Sequence, residues 1–418
     1  MAARQAAVFP QPNPALHDEV LPPTERYIEA LQKLQQTLQI PKSERSLKGE
    51  VIARDHLSTL VPRWEELCAR SVEDNVYYSP RYAQALLHSV EADHNVRFAV
   101  VWDGPTLVAL LPFTSSRATL PGVRSAGRAW QSKYTFSCTP LLDKELKTEA
   151  AEAMLNVLAS ISEREWTIPT VNIGDAACQS IVAALARRGA PWTFLNHFQR
   201  ATLEAGPTFD EHMKLYVDSN RRKGLARNRR RLEELGKVGH ESHSFGEGLE
   251  RAVAAFLKIE ASGWKGKRGT ALDCDEHTRQ FAASAFTGNE ASSICRADML
   301  TVGGVPIAVS LIVLAGRTGF AVKACYDESY RRYSPGLLLE TEVLRGFLSG
   351  NWARRLDSAS SGSHVLDDLW PSRTHVADLV FSLSPRYPEL RLATLKIANR
   401  ISVSARRGLK RLMRRGVH

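Results

Sequence analysis

Apolar residues recur at three- and four-residue spacing in several windows of the chain and alternate or run together in others, so the sequence reads as helices interleaved with strands. Tyr27, Leu31, Leu34 and Leu38 predict a short amphipathic helix over residues 24–39, closed by Pro41. A helical stretch over 57–90 is broken at Tyr78-Ser79-Pro80. Two β-rich runs, 97–102 and 107–113, flank Asp103-Gly104 and predict a hairpin. Helix 149–162, strand 167–173 and helix 177–188, ending at Gly189, follow. Next come helices over 209–217 and 220–235, with Asp218 or Ser219 as cap and Gly236 as stop. Strand 238–244 precedes helix 249–262, which Gly263 ends. A second pair of β runs, 294–302 and 306–314, flanks Gly303-Gly304, and strand 319–326, helix 337–348 and a short strand over 354–359 complete the pattern. In both hairpins the second strand carries an alanine four or five residues past the glycine, Ala109 and Ala308, which we read as an internal repeat. The class is α/β or α+β with mixed sheets.

This pattern divides the chain into a disordered start with one short helix (1–47), a first domain (48–200), a second (201–385) and a tail (386–418). Hydrophobic residues make up 44% of the 418 and charged ones 24%, which excludes a wholly disordered chain, a fibre or a disulfide-stapled module. No apolar run is long enough for a membrane span, and the start lacks the pattern of a secretory signal. Six scattered cysteines suggest neither metal ligation nor a disulfide framework, so we expect a reducing cytoplasm. Charge changes the picture more. Ten Lys or Arg against one acid, Glu389, fall between Arg386 and His418, so nearly all of the +10 formal charge belongs to the tail. There Leu395, Ala398, Ile401, Ala405, Leu409 and Leu412 recur at helical spacing and predict a basic amphipathic helix. It suits an anionic membrane surface, peripheral to the inner membrane, or packing on the domain. A second basic run, Arg221–Arg231, has seven basic residues in eleven without interleaved aromatics. It reads as a solvated or anion-attracting helix, and nucleic acid is not the expected partner.

Candidate chemistry concentrates between Ala321 and Glu340, where a strand, a short basic loop and a helix follow one another. Pro335 suits a first helical position. The N–H groups of Gly336, Leu337 and Leu338, with the positive end of the helix dipole, form an anion site rimmed by Arg331 and Arg332. A pyrophosphate fits it; an ordinary capped helix is the plainer reading. Trp264-Lys265 follows a helix end and either lines a substrate cleft or covers the core. After Asp357, a short stretch holds His364, Asp367, Asp368 and Trp370, and His364 is the histidine best suited to base work. Its spacing is not that of a metal site, and none is expected. Cys325 lies among Phe320 and Val322 and reads as core.

The loop Arg331-Arg-Tyr-Ser-Pro-Gly336 resembles the acyl-CoA-binding element of the GNAT acetyltransferase superfamily, with Ser334 where that family has glycine. The Ser-Pro-Gly form is similar to the double-domain, cellulose-biosynthesis-type (CelD-like) branch related to Fem-type transferases. So are Trp64-Glu-Glu-Leu with Tyr78-Ser-Pro80, the basic helix 220–235, Gly263-Trp-Lys-Gly266 with Gly269-Thr-Ala-Leu272, and Asp357 followed by His364 and Leu369-Trp-Pro371. The resemblance, over 48–385, implies two tandem GNAT-like domains with mixed, mostly antiparallel sheets flanked by helices. It implies direct transfer from acetyl-CoA or another acyl-CoA to an amine, with a small amine or sugar acceptor in polysaccharide or envelope biosynthesis as the expectation. A carbonyl-binding N–H is expected around Ala324–Tyr326. Base candidates are Asp327, Glu328, Asp357 and His364. Tyr326, Tyr330 and Tyr333 are candidates to protonate the thiolate. Arg331, Arg332, Ser334, Gly336 and Leu337 are assigned to the cofactor, and Trp264, Lys265, Asp368 and Trp370 to the acceptor. The N-terminal copy has no matching loop and is expected to be structural or to shape the acceptor groove. Two rivals stand beside this: a Fem-type transferase that takes its donor from charged tRNA, and a non-catalytic membrane-surface scaffold.

Overall fold

A computed structural model describes residues 46–116, 126–361, 365–385, 389–390 and 392–393. The expected helix 24–39, His364 and nearly all of the expected tail helix lie outside them. The strands are β1 (Lys48–Ala53), β2 (Arg97–Asp103), β3 (Thr106–Ser116), β4 (Ala126–Ala129), β5 (Leu141–Leu142), β6 (Glu165–Asn172) and β7 (Trp192–Glu204). Then follow β8 (Val238–His243), β9 (Cys295–Val302), β10 (Val305–Ala315), β11 (Thr318–Tyr326), β12 (Arg355–Asp357) and β13 (Ser372–Ser382). The helices are α1 (Leu57–Arg70), α2 (Pro80–Leu87), α3 (Lys147–Ser160), α4 (Ala176–Arg187), α5 (Phe209–Tyr216), α6 (Ser219–Glu233), α7 (Gly246–Ser262), α8 (Trp264–Lys267), α9 (Glu276–Phe286) and α10 (Pro335–Ser349). Among the described residues, no helix is long and apolar enough to cross a membrane.

Both predicted hairpins form, and for the predicted reason. Gly104 at φ +56°, and Gly303 and Gly304 at φ +57° and +82°, take the left-handed backbone that tight turns require. In each hairpin the register then shifts one residue before the alanine. Trp102 faces Leu107 and Val101 faces Ala109, so Val108 is bulged. Thr301 faces Pro306 and Leu300 faces Ala308, so Ile307 is bulged. The repeat extends through the sheet, whose order is β1-β2-β3-β4-β6-β13-β7-β12-β11-β10-β9-β8 with β5 beside β3. Each half is three antiparallel pairings followed by one parallel pair, β4 with β6 and β11 with β12. The sixth strand is exchanged: β7 joins β12 in the second half, and β13, from the end of the chain, joins β6 in the first. β7 and β13 pair with each other from Ser372–Thr202 to Phe381–Trp192 and close the halves into one mixed, mostly antiparallel sheet.

The sequence pattern predicted neither β7 nor β13, whose alternation is interrupted. Thr170 on β6 and Asn196 on β7 have left-handed backbone, at φ +49° and +54°, and the register of β13 slips beside both. Asp378 ties the irregularities together. Its carboxylate accepts from the Thr170 N–H at 3.0 Å and from the Asn196 Nδ2 at 2.8 Å. A carboxylate in mid-strand and two bulges hide the alternation that marks a strand. The boundary expected at residue 200 falls inside β7.

Two apolar cores lie on the sheet. One joins α1–α4 to α7 and α9; the second packs α5, α6 and α10 against the other half. The first spans both repeats: Tyr77 meets Phe320 at 5.2 Å between ring centroids, and Tyr82 meets Phe281 at 5.5 Å.

Candidate functional site

β11 and β12 pair in parallel over three residues only, the last being Phe320 with Asp357. Beyond them β11 runs on to Tyr326 beside β10 alone, so its edge from Ala321 to Tyr326 has no strand partner among the described residues. The chain then bends through a 3-10 turn, Glu328–Tyr333, into α10. Asp327 caps this turn by accepting from the N–H and hydroxyl of Ser329 at 2.9 and 2.7 Å, and its own N–H donates to the Ile307 carbonyl. Ser334, the cap of α10, sits at φ +53° and ψ +50°. This is why a glycine is favoured there: a side chain in left-handed backbone crowds the carbonyl. Asn228 of α6 steadies it, donating to the Ser334 hydroxyl at 3.4 Å.

Pro335 opens α10 as predicted. Of the three amides expected at the helix mouth, Leu338 donates to the Ser334 carbonyl at 3.1 Å, a correction that follows from the i−4 pattern, while Gly336 and Leu337 lie in the first turn ahead of it. A Cβ on Gly336 would meet the Tyr326 ring at 3.4 Å, an ordinary van der Waals contact. Ser334 and Leu337 line a cleft of about 510 Å³ with Asp218, Arg221, Arg227, Asn228 and Asp368. The basic helix α6 and the bend are thus two walls of one cleft. Arg221 bonds Asp368 across it, which puts that predicted acceptor residue on the loop side. Arg331 and Arg332 are exposed, and Arg332 lies 4.7 Å from the centre of the Tyr333 ring. Tyr333 itself is core.

Tyr326, 38% exposed, lines a second hollow of about 90 Å³ with Trp264, Lys265, Glu260 and Glu328. Glu328 accepts from the Trp264 N–H at 2.8 Å and so caps α8. Trp264 is 53% exposed, which favours the cleft reading over the core one. Lys265 bonds buried Glu260 at 2.7 Å, and the other Glu260 oxygen accepts from the Leu272 N–H. Trp370 is corrected: it is 1% exposed, deep in the second core, and cannot line an acceptor cleft. The carbonyl of its neighbour Leu369 accepts from the His212 ring at 2.8 Å, which pins the segment down. Burial pushes the Cys325 thiol well above its usual range, in keeping with a core residue.

Asp357 lies in a third place, a cavity of about 50 Å³ beside the point where β11 and β12 part, lined also by Glu73, Asp74, Asp175, Arg200 and Arg355. It accepts from the Ala359 N–H at 2.7 Å and faces Arg200 at 3.5 Å. Arg200 also donates to the carbonyls of Ser360 and Phe136. Burial, and then the neighbouring Glu73, push Asp175 up to about 8, and burial raises Glu73 as well. No periodicity or motif marked Glu73, Asp175 or Arg200; their meeting needs the exchanged strands. Among the described residues no group of three or more His, Cys, Asp or Glu is placed to hold a metal ion.

Residues 219–358 match the acetyltransferase (GNAT) domain family in sequence. The stretch runs from the start of α6 to just past β12 and contains the bend, the parted strands and α10, which makes it a GNAT-type acyltransferase domain. No curated protein matches the chain in sequence. In fold the chain is similar to FemX, at 9% identity and TM-score 0.51, over 79% of this chain and 97% of that one. It is also similar to a conserved protein of unknown function from Bacteroides thetaiotaomicron, at 11% identity and TM-score 0.51, over 80% and 100% of the two chains. A tandem GNAT protein from the clavulanic acid biosynthesis pathway aligns over 81% and 99% at 14% identity, with TM-score 0.40.

Proposed function

We propose that the second half binds an acyl-CoA and transfers its acyl group to an amine acceptor, with the first half forming part of the acceptor side. The observation that carries this reading is the parting of β11 from β12 next to the bend 327–336. The parted strands leave an unpaired edge for the pantetheine and carbonyl, and Ser334 and Leu337 bring the start of α10 to the cleft that suits the phosphates. In the reaction the amine nitrogen attacks the thioester carbonyl, the C–S bond breaks, and CoA leaves as the thiolate. Tyr326 is the group best placed to protonate that sulfur, being half-exposed against Gly336. Asp327 and Glu328 are engaged as caps, so we assign the amine's proton to the carboxylates around Asp357, at the junction of the parted strands. The motif likeness to the CelD-like branch supports an amino sugar or other amine of surface polysaccharide as acceptor, with cytoplasmic action. The ion pairs of Arg221 with Asp368 and of Arg229 with Glu342 support a helix α6 that serves the cleft rather than an RNA.

Calorimetric titration with acetyl-CoA tests the assignment. Gly336→Val sets a branched side chain against Tyr326 in the first turn of α10 and is expected to weaken binding about tenfold, about 1.4 kcal/mol. Arg331→Ala with Arg332→Ala should weaken it less. Unchanged affinity in both would remove the acyl-CoA reading. Asp357→Asn should lower kcat at unchanged acetyl-CoA affinity.

A further inference from the structure

Lys323 is a lysine in the wrong company for a structural role. It sits on the unpaired stretch of β11, between Phe320, where the strands part, and Tyr326. Its ammonium lies 5.0 Å from the centre of the Tyr134 ring, and Lys133 lies 5.0 Å from the same centre. Phe281 stacks on that ring at 4.9 Å and 18°, which fixes it in place. Lys265, from α8, and Lys133 are both close enough to act on Lys323, and one carboxylate, Glu260, opposes them. That carboxylate is already committed to Lys265 and to the Leu272 N–H. Exposed Trp264 extends the patch, with Lys265 at 6.0 Å and Arg268 at 5.3 Å from its ring. Burial, opposed by Glu260 and helped by Lys265 and Lys133, brings Lys323 down to about 8. A half-buried excess of positive charge is costly unless something neutralises it.

We propose that Lys133, Lys265 and Lys323 form an oxyanion subsite, so that the acceptor carries a phosphate or carboxylate group besides its amine. This rests on the acyltransferase reading and deepens it. Lysines suit a phosphate or carboxylate as movable point charges. The Trp264 ring beside them offers an apolar face for the body of the acceptor. The two halves contribute jointly: Lys133 and Tyr134 come from the segment between β4 and β5, Lys323 and Lys265 from the second half. The first half thus has a task at the site although it has no phosphate loop of its own.

Competitive labelling tests the subsite on the full chain. Lysines are acetylated with an N-hydroxysuccinimide ester at a pH near 8, with sodium phosphate, sodium acetate or sodium chloride at equal ionic strength, and read one by one by mass spectrometry. Phosphate or acetate is expected to slow labelling of Lys323 several-fold relative to chloride, and whichever anion protects names the acceptor's group. Lys48 and Lys237, remote from the patch, should label alike in all three salts. Exposed Lys133, replaced as Lys133→Gln, should cut the protection of Lys323, while Arg331→Ala with Arg332→Ala should leave it intact. Equal labelling of Lys323 in all three salts, with acetyl-CoA still bound in calorimetry, overturns the subsite and leaves the acyltransferase reading standing. Protection of Lys323 in a protein that does not bind acetyl-CoA keeps the subsite and removes that reading.

Discussion

Ser334 carries a strain that its own sequence position explains. The bend must turn from a 3-10 segment into α10 within one residue, and the backbone does so at φ +53°. For a residue with a Cβ this costs about 1–2 kcal/mol, whereas glycine loses about 0.5–1 kcal/mol in chain entropy. Ser334→Gly is therefore expected to leave stability unchanged or raise it by up to about 1 kcal/mol, read as a higher midpoint in urea denaturation at constant slope. A clear fall would mean that the 3.4 Å contact from Asn228 outweighs the backbone. The departure from the family's glycine that the sequence makes visible is thus compatible with the same bend. What the sequence could not supply is which amides stay available: Leu338 is consumed by the ordinary helical bond to Ser334, and only geometry separates it from Gly336 and Leu337.

Among elements, the hairpins and most helices were legible because each advertises itself locally, by a glycine turn, a cap such as Asp218, or a stripe of apolar residues. β7 and β13 were not, since what holds them is a partner far away in sequence. Asp378 is the clearest case. It bonds the irregular backbone of β6 and the Asn196 side chain on β7 at once, so its removal strands a partly buried N–H at Thr170 and frees a bulge. Asp378→Ala is expected to cost about 2 kcal/mol, seen as a lower urea midpoint, while Asp378→Asn should recover part of it because its amide oxygen still accepts one of the two bonds. Equal stability of Asp378→Ala and the parent would show that the aligned bulges hold without the carboxylate. The same logic explains Trp370. Its indole looked like a cleft residue next to Asp367 and Asp368, but β13 begins two residues later and draws the segment onto the second core.

For the whole molecule, exchange of β7 and β13 couples the repeats, and the cavity holding Glu73, Asp175, Arg355 and Asp357 lies where strands from both meet. Its chemistry should therefore be visible in the stability of the entire described fold. Asp175 holds its proton up to about 8 in the folded chain because burial, with Glu73 nearby, disfavours the charge. An unfolded aspartate releases its proton near 3.9. Between those values the folded state binds the extra proton, so this group's contribution falls as pH rises, by up to about 1.4 kcal/mol per pH unit, and levels off above about 8. An asparagine in its place cannot titrate, suits a helix start as well as aspartate does, and keeps the neutral shape. Urea midpoints measured from pH 5 to 9 should then decline with pH more steeply for the parent than for Asp175→Asn, and the variant should be the more stable of the two at pH 8. Parallel curves would show that Asp175 is ionised in the folded protein. In that case Arg355, which already bonds Thr374 at 2.8 Å, would be the counter-charge that makes an ionised cluster tolerable.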